Sequence, residues 1–385
     1  MTSRPLKILH VITGLHTGGA EMMLLKVLSN MNDDAFQQHV VSLTSLGEIG
    51  PEIEALEIPV TTLNMKRGLF LPVVLFRLIR LIRRHRPHVV QTWLYHADLM
   101  GLIAARLNGI RAVIWNLRCS FMGDHYYRGI SGLIFRLLSR LSSMPVAIVA
   151  NSRAGRELHE RLGYQNKHWH IIGNGFDLER FQPDRSAGGK LRAELGLETE
   201  SRLIGLVARW DAIKGFDTFL AAADQIAESD PDAHFLLVGD GCQIDNKELN
   251  RLIPPALQNR THLLGRRDDI PYVVAALDML CCASQGEGFP NVVGEAMALG
   301  VPCVATDVGD CAIIIGDTGK IVAPSRPTEM AAAFHDLLAL NIQELHALGA
   351  QARAQVEKHY AIEHIAKQYE GLYRSLAGDA SSNSR

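Results

Sequence analysis

Continuous apolar runs alternate with amphipathic stretches along this chain, in two successive series. Residues 6–13, 37–43, 60–63, 88–92, 111–115 and 146–150 read as buried strands, and 202–207, 235–239, 261–267, 278–282 and 319–324 as a second set. Helical periodicity lies between them, at 20–31, 51–56, 69–86, 215–227 and 292–299. Three more helices, 328–338, 342–359 and 362–377, close the chain. Apolar strands each followed by a helix predict an α/β protein of two parallel, doubly wound, Rossmann-like domains. The stretch 183–190, rich in Gly, Ser, Ala and charge, is the linker candidate. It divides a first domain at 1–182 from a second at 183–360 and leaves 379–385 as a disordered tail.

One stretch carries most of the chemistry. Residues 284–306 read S-Q-G-E-G-F-P-N-V-V-G-E-A-M-A-L-G-V-P-C-V-A-T. A buried strand runs into a turn that Gly286 and Gly288 allow to fold sharply, Pro290 and Asn291 open a helix, and Gly300 and Pro302 end it. A helix starting directly after such a turn presents unpaired N–H groups and a positive dipole end, an arrangement that favours an anion. Glu287 and Glu295 flank it. Carboxylates are repelled by a phosphate, so their place is beside hydroxyl groups next to it; taken singly, they also read as a solvated loop charge and a helix N-terminal acid.

Other candidates stand where strands end. Gly18 and Gly19 follow the first strand, but without the G-x-G-x-x-G spacing of a dinucleotide site. His96 lies where the 88–92 strand gives way to a helix, with Asp98 as a helix-start residue. Each of these also reads as an ordinary turn or cap. Arg209 and Lys214 stand at the exit of the second domain's first strand, as a diphosphate clamp or as surface charge.

The string E-G-F-P-N-V-V-G-E-A-M-A-L-G-V-P-C-V-A-T-D-V-G-D resembles the signature of the retaining glycosyltransferases of GT-B fold with the E-x7-E motif, glycosyltransferase family 4, group 1. T-G-G-A-E, V-V-Q-T-W-L-Y-H-A-D-L, A-N-S and R-W-x-x-x-K-G extend the likeness along most of the chain. The resemblance implies two domains facing a cleft, with the last helix, 361–378, packed back on the first. It implies a nucleotide-diphosphate sugar as donor, UDP- or GDP-linked. Glu287, His96, Arg209 and Lys214 become the catalytic candidates: Glu287 and His96 toward the sugar, Arg209 and Lys214 toward the diphosphate. Glu295 would take ribose hydroxyls. Gly18, Gly19, Gly288, Phe289, Pro290, Asn291 and Val292 would line the donor, and Arg267 would lie by the base. No D-x-D stands at the donor site, so neither metal nor other cofactor is expected. Attack from the face the leaving group departs, with the leaving phosphate taking the acceptor proton, is preferred to a covalent glutamate intermediate.

Composition narrows the partners. With 47% hydrophobic and 21% charged residues in 385, the chain reads as globular, and no apolar run approaches the ~20 residues of a membrane-spanning helix. No signal-peptide layout precedes Gly14. Six cysteines without a C-x-x-C (119, 242, 281, 282, 303, 311) suit a reduced, cytoplasmic protein. Residues 1–180 hold 21 Lys+Arg against 13 Asp+Glu, whereas 181–385 hold 18 against 28. The basic half carries two cationic helices, 69–86 and 129–140. In the first, Arg77, Arg80, Arg83 and Arg84 form one face, with Phe76 and the aliphatic residues on the other. Each reads as a sheet-covering helix with a solvated stripe, or as a helix lying on anionic lipid. The expectation is therefore peripheral contact with the inner face of the cell membrane and a glycan or lipid-linked acceptor, polyprenyl-diphosphate oligosaccharide or lipopolysaccharide core. No nucleic-acid partner is expected. Alternatives are transfer to a soluble acceptor as in sucrose or glycogen synthesis, a non-catalytic sugar-nucleotide-binding subunit, and a dinucleotide oxidoreductase, the last opposed by the missing fingerprint.

Overall fold

A computed structural model describes residues 5–32, 34–65, 71–119, 129–184 and 186–382. The chain divides into two compact units, residues 1–175 with 362–385, and residues 176–361. The first unit holds seven strands: β1 (Leu6–Ile12), β2 (Phe36–Ser42), β3 (Val60–Thr62), β4 (Val89–Trp93), β5 (Val113–Leu117), β6 (Ala147–Ala150) and β7 (Trp169–Ile171). All pair in parallel, in the order β3-β2-β1-β4-β5-β6-β7. The second unit holds six: β8 (Arg202–Val207), β9 (Ala233–Val238), β10 (Thr261–Gly265), β11 (Met279–Cys282), β12 (Cys303–Thr306) and β13 (Lys320–Val322). These pair in parallel too, in the order β10-β9-β8-β11-β12-β13.

Parallel strands joined by crossover helices bury both faces, which is why they read as unbroken apolar runs. In each unit the strand order reverses beside the first strand, between β1 and β4 and between β8 and β11. Ligands of such sheets bind outside the carboxyl ends of the strands at that switch point. The loops that matter are therefore those after β1, β4, β8 and β11, and the sequence candidates other than Arg267 stand on them or on the helices they open.

The closing helix, Ile362–Ser382, belongs to the first unit. Ile362, Ile365, Tyr369 and Tyr373 are buried with β1 and β4 residues, Tyr369 stacking on Trp93 at 6.1 Å. Asn116 Nδ2 donates to the Tyr369 hydroxyl at 3.0 Å, and the Tyr373 hydroxyl donates to Gln91 Oε1. This helix continues through 379–382, which corrects the reading of that stretch as tail; 383–385 lie outside the described residues.

Two further differences have plain causes. The expected linker, 183–190, runs instead into the helix Ala187–Glu194, whose Ala187 and Leu191 are fully buried in the second unit. Phe176 and Phe181 are buried there as well, so the structure draws the division at Gly175–Phe176 rather than at 182. The helices Lys247–Leu252, Ile270–Ala275 and Cys311–Ile315 have six, six and five residues, too short for periodicity to reveal.

The cationic helices form as Leu71–His85 and Gly129–Leu141, and both pack against the helix Tyr95–Leu107. Val74, Leu78 and Ile82 face inward from the first, Ile134, Phe135 and Leu138 from the second. Phe76 is not on that inward face. It lies among the exposed arginines, with Val73, because it falls about half a turn away from Val74 and Leu78. Asn116 and Leu117 end β5, and 120–128 lie outside the described residues.

Candidate active site

In the second unit the loops after β8 and β11 run side by side because their strands are neighbours. Gln285 N donates to Ile213 O at 2.7 Å and ties them together. Gly215 must be glycine: its φ is +68°, and a Cβ there would stand 2.0 Å from Ala283 O. The turn Ala212–Lys214 is capped by Asp211, whose Oδ1 accepts from Ile213 N at 3.2 Å. That hydrogen bond, with Arg209 beside it, holds the Asp211 carboxyl below its usual range. The turn aims Lys214 at the opposite loop.

There Lys214 Nζ meets Glu287 Oε1 at 2.5 Å, with the side chains 24% and 13% exposed. Ser284 Oγ donates to the same oxygen at 2.7 Å. Ser284 is held in turn: Thr306 Oγ1, at the end of β12, donates to Ser284 O at 2.6 Å. Gly309 closes the loop from behind, at φ +59°, and Asp310 N donates to Gly288 O at 3.1 Å. A carboxylate and an ammonium are thus fixed at the carboxyl edge of the sheet, largely shielded from water.

The helix Asn291–Ala298 begins directly after this loop. Its N-cap is Pro290, which supplies no side-chain cap. Phe289 is buried, stacking on Phe176 at 6.2 Å and meeting Tyr360 edge-on at 5.5 Å, and Pro290 is buried as well. Both can therefore serve a ligand only through the backbone they position. Glu295 is half-buried in the second turn of the helix.

Arg209 and Arg267 are placed differently. Arg209 is well exposed and pairs with Asp211 at 3.1 Å, which links it to the Lys214 turn. Arg267 is gripped by Asp269 and Glu194, each at 2.8 Å, and these bonds raise its pKa further. The structure thus joins Lys214 to Glu287 directly and Arg209 indirectly, and ties Arg267 into its own acidic pair.

In the first unit, Gly18 is the extended N-cap of the helix Gly19–Ser29, and a Cβ on Gly19 would meet open space. Thr17 N donates to Glu48 Oε2 at 3.0 Å, steadying the turn. After β4, Leu94 has φ 74° and ψ 153°, a conformation nearly confined to glycine and one that stores strain of ~1–3 kcal/mol. The strain sits where the chain turns into Tyr95 and His96. His96 is half-buried, and burial lowers its pKa. Asp98 stands in the first turn of the helix Tyr95–Leu107 and is fully buried there: Thr92 Oγ1 donates to its Oδ1 at 2.5 Å, and burial pushes its carboxyl well up.

One residue on this edge was missed. Arg118 follows β5, and its Nη2 donates to Asn174 Oδ1. Its guanidinium carbon lies 5.6 Å from the centre of the Trp93 ring. The available signal was a lone arginine straight after the apolar run V-I-W-N-L, with no spacing pattern to mark it. Among the described residues no three His, Cys, Asp or Glu side chains are grouped to hold a metal ion, and no helix is long and apolar enough to cross a membrane.

Comparison with known proteins matches both halves. Residues 17–180 fit the family profile described as Glycosyltransferase Family 4, and residues 201–340 the profile described as Glycosyl transferases group 1. The chain is 26% identical over 323 residues to the Escherichia coli UDP-Gal:alpha-D-GlcNAc-diphosphoundecaprenol alpha-1,3-galactosyltransferase, covering 80% of this chain and 81% of that one. It is 28% identical over 356 residues to the lipopolysaccharide core biosynthesis mannosyltransferase LpsB of Rhizobium meliloti (strain 1021), covering 89% and 96%. Among solved structures, Anabaena Alr3699/HepE in complex with UDP superposes with a TM-score of 0.84 at 25% identity, over 96% of this chain and all of that one. The doubly wound pair of units is the architecture of GT-B transferases.

Proposed function

The chain belongs to the group 1, family 4 glycosyltransferases, and on that premise we propose that it moves a hexose-type sugar, with retention, from a UDP- or GDP-sugar to a lipid-linked glycan. The observation that carries this reading is the Lys214–Glu287 pair at 2.5 Å, set at the switch-point edge beside an uncapped helix start. Lys214 and Arg209, with the N–H groups at Asn291 and Val292, stabilise the departing diphosphate, where negative charge develops as the sugar C1–O bond breaks. The acceptor hydroxyl bonds to C1 on the same face, and its proton passes to the leaving phosphate oxygen. Glu287 holds sugar hydroxyls, Glu295 holds ribose hydroxyls, and His96 orients the sugar. Gly18, Gly19 and Gly288 let backbone approach the substrate closely. Arg267, held by its two acids, shapes the base-binding loop. Fixed cations and the helix dipole stand in for a metal, so transfer survives EDTA.

The lipid-linked acceptor is favoured by the surface of the first unit. Phe76 and Leu133 are 65% and 64% exposed among Arg80, Arg83, Arg136 and Arg140, a combination that suits an anionic membrane face. The lipid-linked substrate named for the E. coli relative points the same way. On this reading the protein acts in bacterial surface-polysaccharide synthesis, on the cytoplasmic side of the membrane.

The test is a screen of UDP-, GDP- and ADP-sugars for thermal stabilisation, since a ligand of the folded form raises the melting point. Transfer to polyprenyl-diphosphate-linked GlcNAc then follows, with the anomeric configuration of the product read by NMR. An inverted linkage, or no stabilisation by any sugar-nucleotide, defeats the proposal.

A further inference from the structure

Arg118 has a donor to spare. Its Nη2 is taken by Asn174 Oδ1, the Trp93 ring lies beneath it, and the Tyr369 hydroxyl is a further neighbour. The other terminal nitrogen, Nη1, is buried and has no hydrogen-bond partner. Among the described residues Arg118 makes no ion pair. Glu21, in the first turn of the helix Gly19–Ser29, is near enough for its charge to favour the Arg118 guanidinium, but the two side chains do not close into an ion pair.

A guanidinium stays charged, and taking it out of water without an anion is strongly unfavourable. Here it is oriented by an amide, backed by an indole and left with Nη1 unpartnered. It stands after β5 on the sheet's carboxyl edge, the ligand edge of such folds. An oxyanion suits this arrangement, and phosphate matches a guanidinium in both charge and geometry. We propose that Arg118 is the anion-holding residue of the acceptor site in the first unit, its Nη1 donating to a phosphate oxygen of a polyprenyl-diphosphate acceptor. This rests on the lipid-linked reading of the acceptor and names the residue that recognises it.

Phosphate also occurs in the nucleotide donor, so the probe must exclude the donor site. Farnesyl diphosphate, a short soluble polyprenyl diphosphate, is titrated calorimetrically into the full chain saturated with UDP. The wild type binds it, and inorganic pyrophosphate displaces it. Arg118→Gln weakens farnesyl diphosphate binding at least about ten-fold, Arg118→Lys retains part of it, and UDP affinity is unchanged in both. Asn174→Ala, which leaves the charge and removes its orienting partner, raises the acceptor KM with kcat retained. It carries the test if Arg118→Gln does not fold.

Undiminished farnesyl diphosphate binding in folded Arg118→Gln overturns the assignment. So does its displacement by UDP with parallel loss in Lys214→Ala, which would place the probe in the donor site. If lipid-linked GlcNAc is glycosylated with unaltered KM in Arg118→Gln, this inference fails and the proposed function stands. If farnesyl diphosphate binds through Arg118 and no lipid-linked glycan is ever a substrate, the site stands and the proposed function fails.

Discussion

Lys214 and Glu287 come from different loops, 73 residues apart in sequence, and meet at 2.5 Å. Neither is positioned by the other alone: Asp211 caps the turn that carries Lys214, and Ser284 holds the Glu287 oxygen that Lys214 reaches. The pair places a cation where a diphosphate would compete for it.

That competition makes the two single variants behave differently. Lys214→Ala removes the cation, so UDP affinity falls roughly ten- to a hundred-fold, the range for a hydrogen bond to a charged group, and kcat falls by ~10²–10³. Glu287→Gln frees Lys214 from its partner, so UDP binds as tightly as before or tighter while transfer is lost. Titration with UDP and single-turnover transfer separate the two. Equal loss of UDP affinity in both variants would reduce the pair to a structural clamp.

Gly309 sets the shape of the same loop from a distance in sequence. A Cβ at its φ of +59° would come within 2.6 Å of Gly288 O and 2.7 Å of Glu287 O. Gly309→Ala is expected to cost about 1–3 kcal/mol and to lower transfer by displacing Glu287. Gly189→Ala is the control, since a Cβ there meets nothing within 4 Å and the residue lies inside a helix. It should stabilise by up to ~1 kcal/mol. Thermal melts and transfer rates of the two variants check both statements.

These elements were unequally legible. The strands were plain because parallel strands buried on both faces leave unbroken apolar runs, and the stretch from Ser284 to Thr306 was plain because its turn, helix and strand are contiguous. The stretch 183–190 misled by composition: its small residues suggested a linker, but Ala187 and Leu191 are small and apolar residues of a packed helix. Phe76 was assigned to the apolar face by its chemistry, whereas its angle around the helix puts it among the arginines. Arg118 could not be found by pattern at all. Its meaning comes from Asn174, 56 residues on, and from an unused nitrogen, and neither is written in local spacing.

Two buried histidines make stability depend on pH. Burial lowers His10 to about 3 and His159 to about 4. Unfolded, both titrate near ~6.5, so below that value the unfolded chain binds more protons than the folded one. Their contribution is full above pH ~6.5 and is lost as pH falls toward about 4 for His159 and about 3 for His10, at up to ~1.4 kcal/mol per pH unit for each. Urea unfolding at pH 5 and pH 7 should therefore show the lower stability at pH 5. His159→Gln should lessen that difference by about one proton's worth. An unchanged slope would mean that His159 is already protonated in the folded chain.

The surface of the first unit yields the last prediction. The helices Leu71–His85 and Gly129–Leu141 flank the helix Tyr95–Leu107 and bury their aliphatic residues in one core. What they leave outside is therefore presented on the same side of the sheet. Val73 and Phe76 stand outward on the first, Leu133 and Leu137 on the second, each among arginines. Apolar groups this exposed weaken solubility unless a surface covers them, and the arginines select one that is negatively charged. Each arginine near an anionic bilayer adds ~1 kcal/mol, screened within a Debye length of ~8–10 Å at ordinary salt. The protein should therefore float with vesicles containing phosphatidylglycerol and remain behind with pure phosphatidylcholine. High salt should weaken the association. Phe76→Ser with Leu133→Ser should abolish what salt leaves, because those side chains enter the interface. Neither change touches the loops after β8 and β11, so UDP binding should be preserved. Flotation that ignores both salt and the double substitution would show that this face meets no membrane.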